Sequence, residues 1–180
     1  SATTLNTQNE CVEIISNDVN SWSVIQRLIP SVWETDSGFT PSSGFGTITA
    51  QAIQRRREGD SLHVRGYWTS GTVGASEANI ILPTGFTIDN SSAKFSATAQ
   101  VQRVGTWQRV KNAAGNVAIS SGDAEGPLVV TLSDAIPVSR VYFCVGTQSA
   151  ILTAAAPNGF LSNSDGVSVD FSVPILGWKG

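Results

Sequence analysis

Residues 47–72 read "TITAQAIQRRREGDSLHVRGYWTSGT". Two runs flank Glu58-Gly59-Asp60, a triplet of turn composition, and the second run alternates between two kinds of side chain. Successive side chains of a strand point to opposite faces. Leu62, Val64, Gly66 and Trp68 therefore share one face, and His63, Arg65 and Tyr67 share the other. A strand with an apolar row backed by a polar row covers a core with one side and meets solvent with the other. The stretch predicts an antiparallel hairpin with Trp68 in the core.

Working outward, the two-residue period continues through short runs. They are "ANIILP" (78–83), "FTID" (86–89), "ATAQVQRVGTWQRV" (97–110), "GNVAIS" (115–120), "PLVVTLS" (127–133), "SRVYFCVGTQ" (139–148) and "VSVDFSVPIL" (167–176). Asn112–Gly115 and Gly122–Gly126 supply turns, and residues 154–166 form a longer loop. About nine strands without intervening helices predict an all-β domain over 47–180, an antiparallel two-layer sandwich or jelly roll. No internal repeat marks a propeller or solenoid.

Ahead of this region the period changes. In residues 5–29, Leu5, Val12, Ile15, Val19 and Trp22 occupy heptad a and d positions until Pro30 stops the pattern. This predicts an N-terminal helical connector over 1–30, either lying on its own domain or forming a trimeric stem, although Asn6, Asn17 and Asn20 weaken helix propensity. Residues 31–46, rich in Gly, Pro and Ser, read as a linker.

Composition narrows the function classes. Charged residues are 14% and the net charge is −3, so neither nucleic acid nor an anionic membrane has an electrostatic footprint. The basic run Arg55-Arg56-Arg57 is followed directly by Glu58 and Asp60. No apolar run is long enough for a membrane helix, and the polar start shows no signal pattern. Met is absent, as expected of a trimmed chain or one cut from a larger polypeptide. Cys11 and Cys144 read as two free, buried thiols of a protein made in a reducing cytosol, although pairing is open to them in principle.

Catalytic and metal chemistry find little support. His63 is the sole histidine, with no nucleophile near it in sequence, and one His with two distant Cys cannot complete a zinc set. Most acids sit at turns; "GDAEG" lacks the ligand alternation of a calcium loop, and "SGFGT" precedes a strand rather than a helix. The expectation is a non-enzyme without cofactor or metal, with paired carboxylates for glycan hydrolysis as a remote alternative.

Aromatic residues lead further. Trp107, with Arg109, Asn112 and Asn116 nearby, fits a platform that stacks on a sugar ring while neighbours bond its hydroxyls; equally, it fits packing at a subunit or sheet edge. Tyr67 and Arg65 share the polar face of their strand and join the candidate ligand set. Trp33 and Trp178 lie near the ends of the β-region, where they pin the termini or plug an interface.

Five segments in order carry a family resemblance: "GFGT" (44–47), "RREGDSLHVRGYWTSG" (56–71), "LPTGFTIDNSSAK" (82–94), "GTWQRVKNAAGN" (105–116) and "SVPILGW" (172–178). Together they resemble the β-rich modules near the C-termini of tail-fibre, tailspike and head-fibre proteins of tailed bacteriophages and prophages. Glu58 departs from the pattern, where a small apolar residue is expected, and the N-terminal segment lies outside it. The resemblance implies a virion protein made in the host cytoplasm, acting as a homotrimer and carrying no catalytic residues. It implies a host-surface glycan partner, lipopolysaccharide or capsule; the alternative is a trimerisation, attachment or decoration part contacting other virion proteins. The expected oligomer contacts are Leu5, Val12, Ile15, Val19, Trp22 and Trp178, with Trp178 sealing a lower edge or the trimer seam.

Overall fold

The computed structural model describes residues 11–18, 21–28, 32–74, 76–91, 94–95, 101–113, 116–118, 125–131, 138–145, 150–151, 161 and 163–178. The chain divides into two compact units, Ser1–Val32 and Trp33–Gly180.

In the first unit the expected helix is replaced by a hairpin. Strand β1, Cys11–Asp18, pairs antiparallel with β2, Ser21–Leu28, and the register shifts at Glu13/Ile14 and Ser16/Asp18. Val12, Ile14, Ile15, Val24 and Ile25 are β-branched, which stiffens χ1 and favours a pleated strand over a helix. Val12 and Ile15 lie on β1 and Trp22 on β2, so no heptad seam joins them; Leu5 and Val19 lie outside the described residues.

Among the described residues the second unit holds one sheet of eleven strands, every pair antiparallel. Its elements are β3 (Glu34–Thr35), β4 (Thr40–Pro41), a 3-10 turn (Ser43–Phe45), β5 (Thr49–Glu58), β6 (Ser61–Thr69), β7 (Asn79–Ile81), β8 (Val101–Ala113), β9 (Asn116–Ala118), β10 (Glu125–Thr131), β11 (Arg140–Val145), β12 (Ala150–Ile151) and β13 (Gly166–Pro174). The order is β3-β5-β6-β13-β8-β10-β11-β7-β4, with β12 added on β11 and β9 on β8. The predicted hairpin around Gly59 is β5–β6, in register from Glu58↔Ser61 to Ala52↔Tyr67. Gly59 has φ of 60°, a left-handed turn conformation that glycine adopts without steric cost.

The expected linker at 31–46 is structural, and it explains why the two expected layers are one curled half-barrel. Strands β3 and β4 sit at opposite ends of the nine-strand path, yet only residues 36–39 separate them. Laid flat, that path would span ~38 Å at ~4.8 Å per strand. Five residue steps from Thr35 to Thr40 reach at most ~18 Å. The sheet must curl until its edges approach. Phe39 and Phe45 of the same segment are buried in the core.

The core fills the concave side. Phe143 lies at its centre, with ring centroids 5.1 Å from Phe45, 6.0 Å from Trp68 and 5.6 Å from Trp107, mostly edge-on as aromatic quadrupoles prefer. Leu62, Val64 and Trp68 of β6 are buried as their alternation predicts, and so are Val167, Val169, Phe171 and Val173 of β13. Residues 174–176 fasten to the 87–89 segment and to the β5–β6 turn: Asp89 N–H donates to Pro174 O, Leu176 N–H to Thr87 O and Ile175 N–H to Asp60 O.

Candidate functional site

Four adjacent strands, β5, β6, β13 and β8, turn their polar residues to the convex side. Strand register lines these up in two rows, Gln54–Arg65–Asp170–Thr106 and Ala52–Tyr67–Ser168–Gln108. Between the rows lie Ile53, Gly66, Val169 and Trp107; the side chains of Ile53, Val169 and Trp107 belong to the concave side, and the backbone of all four floors the space between. The result is an open groove of ≈ 620 Å³, which Thr35 of β3 also lines.

Tyr67 stands out within it. Its side chain is 52% exposed although it lies on a central strand. Its aromatic ring is accessible beside amide, hydroxyl, guanidinium and carboxylate groups. Such a combination stacks on an apolar sugar face and hydrogen-bonds ring hydroxyls.

At the Arg65 end the side chains are held in place. Arg65 donates from Nε and Nη2 to Gln54 Oε1 at 3.1 and 3.0 Å, and its guanidinium lies 4.0 Å from the Trp33 ring centroid. Arg56 covers the same indole at 4.6 Å and pairs with Glu58. His63 is tilted against Trp33 at 5.1 Å; its Nε2 lies 3.1 Å from Asp170 Oδ1 and its Nδ1 3.5 Å from Glu58 Oε2. On the opposite side of β5, Arg55 lies over Phe86 at 4.8 Å and pairs with Asp36 at 2.8 Å, while Arg57 lies over Trp178 at 4.7 Å. The basic run thus places each guanidinium on an aromatic ring, contacts worth roughly 0.5–2 kcal/mol each depending on exposure.

The candidate ligand residues divide between the two sides of the sheet. Arg65 and Tyr67 line the groove. Trp107 does not offer the exposed indole that sugar stacking requires: it is 2% exposed, and its Nε1–H donates to Cys144 O at 2.6 Å. It also lies on no edge, because β8 runs between β13 and β10. Arg109, two residues on, is buried with Nε 3.5 Å from Asp165 Oδ2. Asn112 and Asn116 lie on β8 and β9, where Asn112 pairs with Val117 and Asn116 with Ala113. Trp178 packs edge-on against Phe86 at 5.7 Å.

Sequence reasoning passed over Gln54, Thr106, Gln108, Ser168 and Asp170. Their alternation on β5, β8 and β13 marks them as outward-facing, but only the strand order makes them neighbours. Among the described residues, no group of three or more His, Cys, Asp and Glu is placed to hold a metal ion, and no helix is long and apolar enough to cross a membrane. Two groups among the described residues are displaced from their ordinary values. Hydrogen bonds from Lys94 and Ser61 hold the Asp60 carboxyl below its usual range. Burial pushes the Cys144 thiol up to about 11, which leaves it protonated and unreactive at neutral pH.

Comparison with protein-family models, with curated proteins and with solved structures finds no match for this chain.

Proposed function

We propose that the β-unit is a receptor-binding module of a tailed-phage fibre or spike, recognising a host-surface glycan, lipopolysaccharide or capsule, as a homotrimer. The observation that carries this reading is the open groove on the convex face, with an exposed tyrosine ring among polar side chains of which Arg65, Gln54 and Asp170 are held by hydrogen bonds. The ordered motif resemblance of residues 44–178 supports the viral setting. On this reading the curled sheet is a jelly-roll-type module whose two flanks serve as its layers. Binding needs no catalytic residue and no cofactor. An open groove gives modest affinity per site, and three copies per fibre raise it through effective concentration.

The test is a glycan array of bacterial lipopolysaccharide and capsular saccharides probed with the purified chain, beside sedimentation equilibrium of the whole chain and of residues 33–180. Saturable binding to a subset of glycans and a trimer that survives removal of 1–32 are expected. No binding to any glycan would overturn the receptor reading, and a monomer in both forms would overturn the trimer. A second reading, an attachment part that contacts another virion protein, is favoured by Leu176, 58% exposed on the chain segment that carries Trp178.

A further inference from the structure

We infer that the groove selects anionic saccharides, those bearing a carboxylate or phosphate, through Arg65; this rests on the glycan-binding reading above. The neighbouring arginines are neutralised: Arg55 pairs with Asp36 and Glu34, and Arg56 with Glu58. Arg65 differs. It lines the groove, and its charge meets no carboxylate partner among the described residues. What holds it is neutral, the Gln54 amide oxygen at one edge and the Trp33 indole beneath.

Asp170 is its cross-strand neighbour, but the carboxylate is engaged by His63 instead, at 3.1 Å. The groove therefore presents a positioned guanidinium held in no ion pair, beside the exposed Tyr67 ring and the His63-bound Asp170 carboxylate. A guanidinium fixed before binding loses little rotamer freedom when it meets an oxyanion, and its fork matches carboxylate and phosphate geometry. Tyr67 then takes the apolar face of the same sugar, and Gln108 and Ser168 lie in the Tyr67 row to meet its hydroxyls. A neutral saccharide would use the second set alone.

The experiment is an array carrying neutral, uronate-containing and phosphorylated saccharides, probed with wild type, Arg65→Gln, Arg65→Lys and Tyr67→Ala, each checked by urea unfolding. Binding confined to the acidic sugars, weakened about tenfold or more by Arg65→Gln and falling as salt rises, is expected. Uronates and phosphosugars on separate spots distinguish the two anion sources. Arg65→Lys should retain charge-dependent binding but lose preference for the planar, bidentate carboxylate. Neutral sugars bound as well as acidic ones, with Arg65→Gln indifferent and Tyr67→Ala inactive, would overturn anion selection while leaving the glycan reading intact. No binding by wild type at all would overturn both.

Discussion

The two sides of strands β5, β6, β13 and β8 are built from alternate residues of the same segments, yet they are organised differently. On the concave side Trp68, Trp107, Val169 and Phe171 pack around Phe143, and shape and apolar area decide what fits. On the convex side Trp33, Arg56, Arg65, His63 and Asp170 hold one another through hydrogen bonds, ion pairs and ring stacking. Buried apolar packing contributes most of the stability, while exposed polar contacts each contribute little. The convex side is therefore free to be specified for a ligand rather than for folding.

That contrast can be broken most forcefully at the centre of the core. Phe143→Ala removes a ring that touches three other aromatic residues and should destabilise the β-unit by roughly 3–5 kcal/mol, read from the urea midpoint. A loss below about 1 kcal/mol would mean that the concave cluster does not dominate. Trp107→Phe keeps most of the ring but leaves Cys144 O without its indole donor; a loss of about 1–3 kcal/mol is expected in the same assay. Any measurable glycan affinity that disappears in this variant while stability holds would return Trp107 to the binding set.

How far these differences are legible in sequence follows from their physics. Period-two alternation places Leu62, Val64 and Trp68 inside, and His63, Arg65 and Tyr67 outside, because the pleat imposes it locally. The curl is not legible, since it depends on β3 and β4 joining opposite sheet edges, and two-residue strands carry no period. The N-terminal segment misleads because Val12, Ile15 and Trp22 satisfy a heptad by spacing while β-branching favours the hairpin. Trp107 shares its parity with Arg109, so the polar neighbours that suggest a sugar site lie partly on the buried side. The groove itself joins the β5–β6 hairpin to β13 and β8, which lie far along the chain, and only strand order reveals that part of it.

Smaller effects sharpen the comparison on the outer side. Trp33→Ala removes the ring shared by Arg56 and Arg65 and should cost about 1–2 kcal/mol in thermal or urea unfolding. If the cost reaches that of Phe143→Ala, the convex side is a second core. The least effect belongs to Asp60. Its carboxyl is depressed by Lys94 and Ser61, so the contribution is present above the ordinary carboxylate range and is lost as pH falls through the folded-state value. Wild type should exceed Asp60→Asn slightly in Tm at pH 7, and the two should converge in acid. A gap that widens on acidification would reverse the assignment.

The most direct test of the account is Tyr67→Ala, with glycan binding and urea unfolding measured on one preparation. The account predicts that binding to the array is lost while the unfolding free energy stays within about 0.5 kcal/mol of wild type, as for an exposed residue away from the core. Full retention of binding, or a fall in stability comparable with that of Phe143→Ala, would contradict it.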